Sequence, residues 1–85
     1  MAYRVEIERV AAKAVGDLPL GEQRRVTARL RKLEDDPRRG ATKLTGALGW
    51  RVCSGDYRIV FVIDDAEMMV TVTRIGHRRD VYRRL

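Results

Sequence analysis

The chain is poor in several residue types on which common chemistries depend. It has one cysteine, Cys53, and one histidine, His77. A lone cysteine excludes an internal disulfide and fits a reducing compartment. One cysteine and one histidine fall short of the four-ligand set of a zinc site, so no metal or cofactor is implied. Long apolar runs are missing too. The N-terminus has none of signal-peptide length, and no stretch approaches the roughly 18 residues that span a bilayer. The expected location is cytoplasmic, with no membrane partner. There are only two prolines, Pro19 and Pro37, no internal repeat and no linker-like segment. Both prolines read as joints between elements.

What remains is a folded, basic protein. Eighty-five residues make one domain, 1–85, with a single modest core. Hydrophobic residues make up 45% and charged residues 35%, with a net charge of +6. That balance favours an anionic partner. The charge is uneven. Residues 1–40 hold ten Lys/Arg against seven Asp/Glu, whereas residues 74–85 hold five arginines against Asp80 alone. The C-terminal end is the basic pole.

Tyr3-Arg4-Val5-Glu6-Ile7-Glu8 alternates apolar and charged residues, as a half-buried strand does, with Tyr3, Val5 and Ile7 expected to face inward. From Arg9 the period changes. Val10, Ala14 and Leu18, with Ala11 and Val15 beside them, predict a short helix that Gly16 and Pro19 limit. A second helix is expected from about Glu22 to Glu34, with Val26, Leu30 and Leu33 as its apolar stripe. Its arginines read first as a solvated face. Asp35-Asp36-Pro37 should end it, because a residue before proline is biased away from helix. Pro37 to Gly49 reads as mostly loop. Strands follow at about 50–54, 57–63 and 68–75, joined by turns at Gly55-Asp56 and at 64–67.

Residues opposed in a hairpin share a face. If Gly55-Asp56 is a two-residue loop, Ser54 pairs with Tyr57, Cys53 with Arg58, Val52 with Ile59 and Arg51 with Val60. One face then carries Trp50, Val52, Tyr57, Ile59, Phe61 and Ile63, bulky enough to meet the helices. The other carries Arg51, Cys53, Arg58, Val60 and Val62. Arg51 and Arg58 lie on a diagonal with β-carbons roughly 7–8 Å apart, a spacing that suits two guanidinium groups on one phosphate. A helical turn after Gly76 would align Arg78 with Tyr82 and bring both to this platform, with His77 and Cys53 nearby. Cys53 reads as a small packing residue and Trp50 and Tyr57 as core or rim aromatics. Tyr82 reads equally well as a cap on the sheet edge.

The order of these elements, with Lys43-Leu44-Thr45-Gly46, Trp50-Arg51-Val52, Gly55-Asp56-Tyr57-Arg58 and the run Ile75-Gly76-His77-Arg78-Arg79-Asp80-Val81-Tyr82, resembles the RelE family of toxins over nearly the whole chain. The resemblance implies an α+β fold: an N-terminal strand, a helical hairpin and an antiparallel three-strand meander, forming one small twisted sheet with the helices on one face. It implies cleavage of messenger RNA in the translating ribosome and inhibition by a cognate RelB-like antitoxin. Arg51, Arg58 and Arg78 would hold the scissile phosphate, Tyr82 would orient the base or help move a proton, and Lys43, Arg74, Arg79 and Arg83 would contact RNA. The chain departs from the family at Cys53, where a second basic residue is common, and at Arg51, where some members have lysine. Arginine is a poor base, so His77, whose imidazole ordinarily titrates nearest neutrality, is the candidate for that role. The alternatives are a ParE-like toxin that binds DNA gyrase without cutting RNA, and a member that retains only antitoxin binding.

Overall fold

The computed structural model describes residues 2–82. The elements run β1 (Arg4–Ile7), α1 (Arg9–Gly16), α2 (Leu20–Asp35), β2 (Thr42–Lys43), a 3-10 turn at Gly46–Leu48, β3 (Trp50–Ser54), β4 (Tyr57–Asp64) and β5 (Met69–His77). The strands form one open sheet in the order β1-β5-β4-β3-β2. β1 runs parallel to β5 and the other pairings are antiparallel. The expected α+β architecture is present, with one strand more than expected. Thr42–Lys43 adds a two-residue edge strand inside the stretch read as loop, too short to show any period.

α1 lies over β5, and α2 touches β1 and β3. Ala11, Val26, Leu30 and Leu33 from the helices meet Val52, Ile59, Phe61, Val70, Val72 and Ile75 from the strands in one core. α2 ends where proline chemistry requires. Asp36, the residue before Pro37, is extended at φ −153° and ψ 90°.

Two expectations about facing are corrected. Val10 is 66% exposed, while Ala11 is fully buried and Ala14, Val15 and Leu18 pack partly against the core. The packing stripe is therefore rotated by one residue, because a helix lying close on a sheet places its smallest side chains at the contact. Ile7 is 40% exposed because β1 is an edge strand, whereas Tyr3 and Val5 pack on the core as expected.

The β3–β4 hairpin has the expected register, with Ser54 opposite Tyr57, Cys53 opposite Arg58, Val52 opposite Ile59 and Arg51 opposite Val60. Gly55, at φ +59°, takes the first position of the two-residue loop, where a glycine-first hairpin turn needs a positive φ. β5 is less regular. Val60 pairs with Arg74 but Phe61 pairs with Val72, which leaves Thr73 as the extra residue of a β-bulge. The Thr73 hydroxyl donates to the Val60 carbonyl at 3.3 Å. The bulge resets the alternation of β5, so Val70, Val72, Ile75 and His77 share the helix-covered face, and Arg74 and Gly76 share the other.

Candidate nucleic-acid interface

Across the face away from the helices, the ladders arrange the cations in rows. Arg51, Val60 and Arg74 stand side by side on β3, β4 and β5, followed by Cys53, Arg58 and Gly76. With strands about 4.8 Å apart, Arg51 and Arg74 flank Val60 at about 10 Å between α-carbons. One step beyond, the backbone N–H of Arg78 donates to the Asp56 carbonyl at 2.7 Å. Arg51, Arg58 and Arg74 thus share one face, and Arg78 stands in the turn that follows β5. Val60 at the centre of that face is 1% exposed and lies outside the helix-side core. Its cover comes from the residues that share its own face, and the flanking arginine stems are suited to that role.

The guanidinium groups have few anionic partners. Nη1 of Arg58 donates to the carbonyls of Gly55 at 3.0 Å and Tyr57 at 3.2 Å, which fixes the group over the hairpin turn. Nη1 of Arg51 lies 3.3 Å from Sγ of Cys53. Among the described residues neither arginine meets a carboxylate. Arg78 has Asp56 at 3.9 Å, with both side chains exposed. Nε of Arg74 is buried and meets no acceptor among the described residues.

After β5 the chain makes a single tight turn, and no helix follows it among the described residues. Asp80 and Val81 donate backbone N–H groups to the His77 carbonyl at 2.8 and 2.9 Å. Val81 is 3% exposed and packs on Gly76, where an added β-carbon would lie 3.5 Å from the α- and β-carbons of Val81. Gly76 is on the arginine face, so the tail folds back over it at Val81, and the next residue, Tyr82, is 39% exposed.

Other expected site residues lie elsewhere. His77 is opposite Tyr57 on the helix-covered side, its ring edge-on at 5.8 Å between centroids, so the bulge removes it from the arginine face. Lys43 is opposite Trp50 and sits 5.7 Å from that ring, also on the helix side. Arg38 approaches the same ring at 5.5 Å. Arg79 is exposed in the tail turn. Arg83 lies outside the described residues. Cys53 is an exposed thiol on the arginine face and not a packing residue. The reading from sequence missed the contribution of Asp56 and the equal standing of Arg74. The signal for Arg74 was the three-residue step from Val72 to Ile75 in an otherwise alternating strand.

Residues 5–82 match the sequence model of the ParE toxin of type II toxin–antitoxin systems (parDE). The chain belongs to this toxin family, within the RelE/ParE superfamily. The toxin resembles a chain of the RelBE2 toxin–antitoxin complex of Mycobacterium tuberculosis, with a TM-score of 0.84, 25% identity and coverage of 94% of this chain and 95% of that one. A RelE–RelB complex from Pyrococcus horikoshii gives a TM-score of 0.79 at 26% identity, covering 95% of this chain and 100% of the other. The intact Escherichia coli RelBE complex gives 0.78 at 25% identity, with 89% and 96% covered. No curated protein matches in sequence. Among the described residues no helix of the toxin is long and apolar enough to cross a membrane.

Proposed function

We propose that the toxin is a ribosome-dependent endoribonuclease that cuts translated messenger RNA and is held inactive by a RelB-like antitoxin. One observation carries the reading: three arginines rise from a single open sheet face with Arg78 in the adjoining turn, and Arg51 and Arg58 have no carboxylate partner among the described residues. In RNA cleavage a 2′-oxygen attacks the adjacent phosphorus, the 5′-oxygen leaves, and negative charge builds on the non-bridging oxygens. Fixed guanidinium groups stabilise that charge more than they stabilise the starting diester, which is how such a site accelerates the step. Arg58, locked by two backbone carbonyls, is the central phosphate ligand, with Arg51, Arg74 and Arg78 around it. Tyr82, exposed and next in the chain to Val81, would orient a base or carry a proton. The antitoxin assignment draws on the similar structures, which are complexes of RelB with RelE.

A second reading is gyrase binding without RNA cleavage. It is favoured by the ParE name of the matching family and by the placement of His77 away from the arginines. Primer extension on a defined messenger RNA, translated with and without added toxin, separates the two. Cuts within codons, only with ribosomes present and absent with Arg58→Ala, are expected. Intact RNA in both conditions, with inhibition of gyrase supercoiling, would replace the nuclease by the gyrase reading.

A further inference from the structure

The single histidine is absent from the arginine face yet is tied to the backbone that crosses to it. Its Nδ1 accepts the backbone N–H of Arg79 at 3.2 Å, and its carbonyl accepts the N–H groups of Asp80 and Val81. Its ring stands at 83° to that of Tyr57, which packs against the core. Within four residues the chain passes from His77 on the helix side to Val81, seated on Gly76 on the opposite side. A neutral imidazole that accepts at Nδ1 carries its proton on Nε2. No lone pair is then free to take a proton from a 2′-hydroxyl, even if one could reach it.

We propose that His77 is a positioning residue: its ring nitrogen and carbonyl set the turn that carries Arg78 and Tyr82 to the arginine face. It acts through the tail and transfers no proton. A side-chain acceptor bonded to the backbone N–H two residues on is the geometry of an Asx turn, which asparagine makes with its Oδ1. Asparagine therefore replaces the acceptor but cannot serve as a base near neutral pH. Valine at Gly76 tests the same turn from the other side, since its β-carbon would already touch Val81 at 3.5 Å and its two γ-carbons extend beyond that contact. The assignment rests on the nuclease reading only for its catalytic readout.

The experiment compares wild type, His77→Ala, His77→Asn and Gly76→Val by amide hydrogen exchange at Arg79 and Val81 and by kcat/KM for ribosome-dependent cleavage across pH. Faster exchange and a loss of about 3- to 10-fold in cleavage are expected for His77→Ala and Gly76→Val, the scale of one lost hydrogen bond or contact. His77→Asn is expected to keep wild-type protection, at least about a third of the rate and an unchanged pH profile. Losses of about 100-fold or more in both histidine variants, with one limb of the pH profile removed, would make His77 a proton carrier and overturn the proposal. Unchanged exchange in His77→Ala would also overturn it. If wild type fails to cut RNA, the nuclease reading falls by itself, and the exchange rates alone decide whether His77 builds the turn.

Discussion

The two faces of the sheet are made from alternate residues of the same strands, yet they are held in place by different forces. On the helix side Phe61, Ile59, Val52, Val70 and Val72 meet Leu33, Val26 and Ala11, all essentially without exposure. Removal of this apolar surface from water is the main source of stability. On the other side Val60 is equally buried, but its neighbours across the ladders are Arg51 and Arg74. Like charges sharing a small surface repel one another, so this face contributes little to stability and draws on the rigidity of the first. That division is what electrostatic catalysis requires, since cations that need not reorganise act at full strength on developing charge.

Four measurements can break or sharpen this contrast. Phe61→Ala is expected to cost about 3–5 kcal/mol in urea denaturation, as an emptied aromatic site in a packed core does. Deleting one of two threonines in β5 probes the bulge. Deletion of Thr73 removes the extra residue and leaves every pairing on both sides intact. Deletion of Thr71 would move Val72 to the arginine face and place Thr73 in the core. The Thr71 deletion should be less stable than the Thr73 deletion by about 3 kcal/mol, from lost apolar burial and a buried hydroxyl. Equal stabilities would mean that the bulge is not where the strand changes phase. Arg58→Ala should reduce cleavage by about 100-fold or more while unfolding within about 0.5 kcal/mol of wild type. A large loss of stability there would show that the faces are not separable.

The hairpin of β3 and β4 was legible in the sequence down to individual pairs, because a glycine-led two-residue loop leaves one register and bulky residues mark one face. The platform of Arg51 and Arg58 follows from that register alone. β5 was harder. Its alternation is sound through Val72 and resumes at Ile75, and a strand read at constant period misplaces everything beyond the bulge, including His77. The orientation of α1 was ambiguous because apolar residues at 10, 11, 14, 15 and 18 support two overlapping stripes. Only contact with β5 selects the one containing Ala11. The docking of Val81 on Gly76 is a tertiary event with no local period to announce it.

The smallest expected effect lies at the helix-side rim, where charge does contribute to holding the fold. Asp65, in the turn between β4 and β5, accepts from Nη1 and Nη2 of Arg38 at 3.1 and 2.8 Å and from the Tyr3 hydroxyl at 2.7 Å. The trio joins the turn, the segment after α2 and the residue preceding β1. Arg38, and then Tyr3, hold the Asp65 carboxyl below its ordinary value of 3.8, against a smaller opposing effect of desolvation. A carboxyl whose value is depressed on folding adds stability above its unfolded value, and that stability is lost as pH falls through the folded one. Wild type should therefore unfold at a higher urea concentration than Asp65→Asn at neutral pH. The gap should begin to close as the pH falls towards about 4 and vanish once the carboxyl is protonated in both folded and unfolded chains. Added salt should narrow it at neutral pH, since the pair is exposed to solvent. A gap that persists undiminished in strong acid would mean that Asp65 acts through the geometry of its contacts with Arg38 and Tyr3 and that charge has no part in holding this edge of the sheet.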